Sequence, residues 1–349
     1  MQMDRMKRVA MSALLGAALL GAGAAAARDL MIVGFGGPFQ DNARKHLFKG
    51  YEAATGKKVN DDVYNGEMAK IYAMVKAKDV TYDVIMVEAP ELARGCEDGI
   101  FEKIDWSVVK KSKFIANGTS TCGAGAVLWG VTLFYDSTKI KDGPDTYAKL
   151  WDLKAYPGKR SFRATPKTTL EIALLADGVA PADVYKVLGT PDGVKRAFAK
   201  LDQIKPQIVW WKSGTQPVQL VGSGEVAYAV GFTGRVVRAN ADAGGNKYPL
   251  LWKTLLWSVD TWAEVKGSPN AAEGMKMIEW ITDAKPLTAM AEDYAVSPAN
   301  AEAAANPRLR EKNPGMLSPH AAQGLFIDTD FWVANGADLE TKFNAWVAQ

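Results

Sequence analysis

The sequence predicts an α/β protein built as two lobes. Three observations carry this: strand-like runs apolar on both faces, amphipathic helical stripes between them, and a length that outgrows one core. The chain has 349 residues, 48% hydrophobic and 23% charged, enough to bury a sizeable interior and to divide it in two. Strands apolar throughout and alternating with helices imply a largely parallel sheet covered on both sides.

The elements follow in order. "LMIVGF" (30–35) is a continuous apolar strand and "GGP" a turn. Phe39, Ala43, Leu47 and Tyr51 then recur every four residues, with Arg44, Lys45, Lys49 and Glu52 off the stripe, as an amphipathic helix requires. "KKVNDDV" resumes an extended segment, Glu67 to Lys78 reads helical, and "YDVIMV" (82–87) is a third strand. After the "DSTKIKDGPDT" loop (136–146) a second series begins. "KRSFRA" is a strand, 167–177 and 193–202 are helices, "QIVWW" (207–211) is a strand, 215–224 a helix and "EVAYAVGF" (225–232) a strand. "WSVDTWAEV" with a helix over 271–284 returns to the first pattern, and Leu339, Phe343 and Trp346 mark a final amphipathic helix.

The first residues stand apart. Arg5, Lys7 and Arg8 precede "VAMSALLGAALLGAGAAAA", the basic, apolar and small-residue succession of a secretory signal peptide. Cleavage near Ala26 or Ala27 is expected, with 1–27 as the leader. No cysteine lies near the cut, so a lipid anchor is not expected. Export places Cys96 and Cys122, the only cysteines, in an oxidising compartment, where one disulfide is expected. It would contribute about 3 kcal/mol in the chain-entropy model.

Several chemistries find no footing. The net charge is +3 and the longest basic run is Lys110-Lys111-Ser112-Lys113, so nucleic acid is not an expected partner. No Gly-x-Ser-x-Gly elbow, phosphate-binding loop or His-Glu-x-x-His occurs, and the glycines at 34, 36 and 37 do not extend into a dinucleotide fingerprint. His46 and His320 stand alone, so no metal and no cofactor is expected. The protein is expected not to be an enzyme; the rival reading is an exported enzyme using a carboxylate base such as Glu88.

Ligands of open α/β sheets sit outside the carboxyl ends of the strands. The strand exits here are Gly36-Gly37 with Phe39, Glu88-Ala89, Trp211 to Ser213, and Phe232 to Arg235. Phe39, Trp129, Trp211, Phe232, Trp257 and Tyr294 are candidate cleft walls, each with ordinary core packing as the alternative.

Taken in order, "VGFGGPFQDNARKHLFKGYEAATGKKV", "YDVIMVEAPELARGCEDGIFEKIDWS", "WWKSGTQPVQLVGSGEVAYAVGFTGR" and "VDTWAEVKGSPN" resemble segments of bacterial periplasmic receptors of the spermidine/putrescine-binding class. The resemblance runs over nearly the whole mature chain. It implies a type II periplasmic-binding fold, with two lobes, a hinge, and a ligand closed between them. The expected lobes are 28–135 with 260–305, and 136–259 with 306–349. It further implies a monomeric receptor located in the periplasm, with the permease of an ABC importer as partner. It also places Cys96 and Cys122 on one lobe.

Aromatic residues of the polyamine receptors match Phe39 and Phe232, and their amine-holding aspartate matches Asp260. Two departures shift the expected ligand. Acidic residues of those receptors are replaced by the basic and neutral "RATPKT" (163–168), and Arg235 stands where a diamine needs no cation. The expected ligand is therefore a zwitterion of the 4-aminobutyrate kind. Arg235 would hold its carboxylate and Asp260 its amine, with Glu88 as second candidate, among Gly37, Phe39, Trp129, Trp211, Ser213, Phe232, Trp257 and Tyr294. A putrescine or spermidine receptor is the alternative.

Overall fold

The computed structural model describes residues 28–313 and 315–349; the expected leader, 1–27, lies outside the described residues. Eight principal strands form one curled sheet: β1 (Leu30–Gly34), β2 (Val59–Val63), β3 (Val84–Glu88), β4 (Ala124–Tyr135), β5 (Arg160–Arg163), β6 (Ile208–Trp211), β7 (Tyr228–Phe232) and β8 (Leu256–Glu264). Two short strands, β9 (Ser297–Pro298) and β10 (Leu325–Phe326), attach to β4 and β8. The order is β2-β1-β3-β8-β4-β7-β5-β6.

β1, β2 and β3 are parallel, as are β5, β6 and β7. Between these two groups lie β8 and β4, antiparallel to each other and to their outer neighbours. β4 and β8 therefore belong to both halves and are the two strand crossings between the lobes. A register shift between Gly125 and Val127 interrupts their pairing, a local bend of the kind a bulge produces.

Alternation along the strands explains why both sheet faces are apolar. In β3, Val84 and Met86 enter one core with Leu30, Ile32 and Trp262, while Ile85 and Val87 enter another with Val33 and Phe101. In β7, Tyr228 and Val230 pack with Phe162, Leu170 and Phe343, whereas Ala229 packs with Phe134, Val221 and Val236. Each lobe thus has helices on both sides of its strands.

Two boundaries differ from expectation. The helix expected over 271–284 ends at Ile281, and a second, Ala284–Asp293, begins directly after it. Thr282 bonds back to the Ile278 carbonyl at 2.6 Å, and the Asp283 side chain accepts the Lys285 N–H, so one residue closes a helix and the next caps another. The strand expected over 225–232 is limited to Tyr228–Phe232. Leu309 and Met316 pack in one core with Met86 and Ile278.

Cys96, in the helix Ala89–Glu97, and Cys122, just before β4, form a disulfide with 5.8 Å between Cα atoms. Both sit at the outer core of the first lobe.

Candidate ligand-binding site

The strand exits converge on one cavity of about 290 Å³ between the lobes. From the first lobe come Gly37 and Phe39 after β1, and Glu88 at the end of β3. From the second come Arg163 ending β5, Trp211 to Thr215 from the last residue of β6 onward, and Phe232 to Arg235 from the last residue of β7 onward. The crossing strands add Trp129 and Asp260, and Tyr294 closes one side. The aromatic walls are mutually braced: Phe232 meets Trp129 and Trp211 edge-on at 5.6 and 5.4 Å, and Phe39 meets Tyr294 at 6.3 Å.

Every expected site residue but one lines this cavity. Trp257 does not. Side chains alternate along β8, so Asp260 and Trp257 point to opposite faces, and the Trp257 ring packs edge-on against Phe326 at 4.8 Å. It belongs to a small core with Leu255, Val259 and Leu317. The parity of the strand excludes it from the cleft.

Local backbone places the two key loops. Gly36 and Gly37 take φ of 69° and 61°, values that glycine adopts without strain. A Cβ at Gly37 would sit 3.2 Å from Arg235 Nη1, so the bare backbone also lets the guanidinium approach. After β6, the Gln216 side chain accepts from the N–H groups of Lys212 and Ser213 at 2.7 and 2.9 Å and fixes the turn beneath the cavity.

The charges divide into a neutralised set and an unpaired set. Glu88 Oε1 accepts from Arg163 Nη2 at 3.0 Å, and Lys167 Nζ lies 2.6 Å from Oε2. Burial would raise the Glu88 carboxyl, but the charges of Arg163 and Lys167 outweigh it and hold the group at about 2. Lys167 also donates to Glu91 at 2.8 Å. Its segment leaves helical geometry: Thr168 adopts φ 75°, an uncommon conformation for a β-branched residue.

Asp260 is different. It is the cross-strand partner of Glu88, is 7% exposed, and its Oδ1 has no hydrogen-bond partner among the described residues. Burial, and then the negative charge of Glu88, push its carboxyl well above the usual carboxylate range. Arg235, in the first turn of the helix Thr233–Asp242, reaches Gly36 O at 3.4 Å through Nη2. Its charge opposes the rise that burial imposes on the Tyr294 hydroxyl, yet buried Nη1 has no partner among the described residues. The Trp129 Nε1 and Arg163 Nη1 atoms are likewise buried and unpartnered there.

The arrangement offers an anionic point, donors for an anion and apolar faces between them, within a volume suited to a small solute. Glu88, expected as second candidate for the amine, is paired with Arg163 and Lys167 of the opposite lobe, and Arg163, absent from the expected site, lines the cavity. Arg163 stands at a strand exit as Arg235 does, so the same rule could have found it.

Comparison with known proteins agrees with this architecture. The family described as bacterial extracellular solute-binding protein matches residues 46–317. A gamma-aminobutyric acid-binding protein of Pseudomonas aeruginosa is 39% identical over 341 residues, 96% of each chain. Among solved structures, a GABA receptor is 29% identical with a TM-score of 0.83, covering 92% of this chain and 98% of its own. The PBP MotA from A. tumefaciens B6 in complex with glucopine is 26% identical with a TM-score of 0.84, covering 92% and 100%. Two lobes joined by crossing strands over a cleft are the type II periplasmic-binding fold, and the chain belongs to the bacterial extracellular solute-binding protein family.

Proposed function

We propose that this protein is the periplasmic receptor of an ABC importer and that its ligand is a small zwitterionic amino acid of the 4-aminobutyrate kind. The observation that carries the reading is a pair of buried ionisable-group atoms with no hydrogen-bond partner among the described residues, Arg235 Nη1 and Asp260 Oδ1, on one small aromatic cavity. A buried charge without a partner is costly, and a ligand with a carboxylate at one end and an ammonium at the other offsets both costs at once. Arg235 takes the carboxylate through its planar fork; Asp260 takes the ammonium, with the rings of Phe39, Trp129 and Phe232 against the carbon chain. The names of the relatives, a gamma-aminobutyric acid-binding protein and a GABA receptor, support the same ligand class.

A diamine fits less well. Glu88, the acid nearest Asp260, is already neutralised by Arg163 and Lys167, and a second ammonium would face Arg235. Titration calorimetry with 4-aminobutyrate, putrescine and butyrate tests the reading. Tight binding of the amino acid, and weak binding of the two compounds that each lack one of its charges, is expected. Putrescine binding at least as tight as 4-aminobutyrate, or conversion of the added solute, would overturn it.

A further inference from the structure

We propose that the Glu88–Arg163 ion pair is the end wall of the ligand cavity on its amine side and excludes amines that carry a substituent on nitrogen. This rests on the assignment of Asp260 to the ligand amine. Glu88 comes from the exit of β3 in the first lobe and Arg163 from the exit of β5 in the second, so the pair spans the cleft. On its far side lies a second, larger cavity of about 500 Å³. Phe35, Asn65, Glu88 and Arg163 line both cavities, so the pair with its two neighbours is the partition between them.

The wall stands at the amine end because Glu88 and Asp260 are directly opposed in the antiparallel register of β3 and β8. Residues so paired hold their Cα atoms only about 5 Å apart. An ammonium on Asp260 therefore has Glu88 and Arg163 immediately beside it, and an alkyl group on that nitrogen meets the pair.

The partition is braced. Lys167 pairs with Glu88 and is itself held by Glu91. The Arg163 guanidinium lies 5.6 Å from the Phe232 ring centre and 6.0 Å from that of Trp211, within cation–π range. Rotating Arg163 out of the way forfeits both the ion pair and these ring contacts. The space beyond would take a substituent readily, since Tyr72, Arg94 and Glu340 frame an open chamber there.

The test is the double variant Glu88→Ala/Arg163→Ala, which removes one acid and one base together and leaves Lys167 its partner Glu91. Calorimetry compares 4-aminobutyrate with N-butyl-4-aminobutyrate on wild type and variant. The wild type is expected to prefer the unsubstituted compound, and the variant to reduce that preference by roughly tenfold or more. An unchanged ratio, or a wild type that takes both compounds equally, overturns the wall. The single variant Arg163→Ala, in which Glu88 keeps Lys167, must move the ratio the same way and serves if the double variant does not fold. The ratio of putrescine to N-butylputrescine reads the wall independently, so loss of the 4-aminobutyrate assignment alone is separable from loss of the wall. Binding of neither parent compound to the wild type overturns both.

Discussion

Replacing Asp260 by asparagine changes the charge of the site and hardly its volume, so its consequences can be worked from the structure. In the free protein the side chain is 7% exposed, and burial with the charge of Glu88 raises its carboxyl well above the ordinary range. An acid whose folded pKa lies above its unfolded value, about 3.9 for Asp, contributes stability that is complete below that value and is lost as the pH rises toward the folded pKa. At neutral pH the free wild type therefore carries a penalty that a neutral amide in its place would not. Ligand reverses the sign, because the ammonium makes a charge-assisted hydrogen bond to the carboxylate, worth about 1.5–3 kcal/mol. Asp260→Asn should thus weaken 4-aminobutyrate binding by about 10- to 150-fold while leaving the melting temperature of the free protein unchanged or higher. Calorimetry gives the first quantity and thermal unfolding without ligand the second. Unchanged affinity with a lower melting temperature would refute the reasoning and make Asp260 a partner in a structural ion pair.

Other expectations follow from the same geometry. Arg235→Lys keeps the charge but loses the fork, and should cost about 2 kcal/mol of affinity for 4-aminobutyrate, roughly 30-fold; wild-type affinity in the Lys variant would mean the arginine does not hold the carboxylate. Because ligand binds the ionised form of Asp260, whose carboxyl is raised by burial and by Glu88, binding should release a proton and tighten as pH rises above the ordinary carboxylate range, by at most about tenfold per unit. A pH-independent affinity with no proton release in buffers of differing ionisation enthalpy would contradict this. Reducing the Cys96–Cys122 bond, which closes a sequence separation of 26, should cost about 3 kcal/mol of stability, read as a lower urea midpoint. Ligand affinity should survive the reduction, since the bond lies in the outer core of the first lobe.

Much of the fold was legible because its strands are buried on both faces. Runs such as "VIMV" in β3 need no partner information to be read as strands, and the exit rule then places Phe39, Trp211, Phe232 and Arg235 on one cleft without knowledge of pairing. What was not legible depends on pairing. That β8 lies between β3 and β4 is a long-range choice, and it alone sets Asp260 opposite Glu88. Trp257 was misplaced for the same reason: an aromatic near Asp260 in sequence lies on the other face of the strand. The neutralisation of Glu88 arises from Arg163, 75 residues away in the opposite lobe, and no local pattern announces it. The kink at Lys167 and Thr168 beside the second cation is likewise not legible locally, since the sequence reads as an uninterrupted helix start after Pro166.

The most direct test of the central claim is a crystal structure of the protein with 4-aminobutyrate bound. The account predicts one ligand in the cavity of Trp129, Phe232 and Tyr294, its carboxylate oxygens about 2.7–2.9 Å from the Arg235 guanidinium and its nitrogen at the same range from Asp260. A ligand whose carboxylate is held by Arg163 while Arg235 stays without contact, or whose nitrogen leaves Asp260 unpartnered, would contradict it.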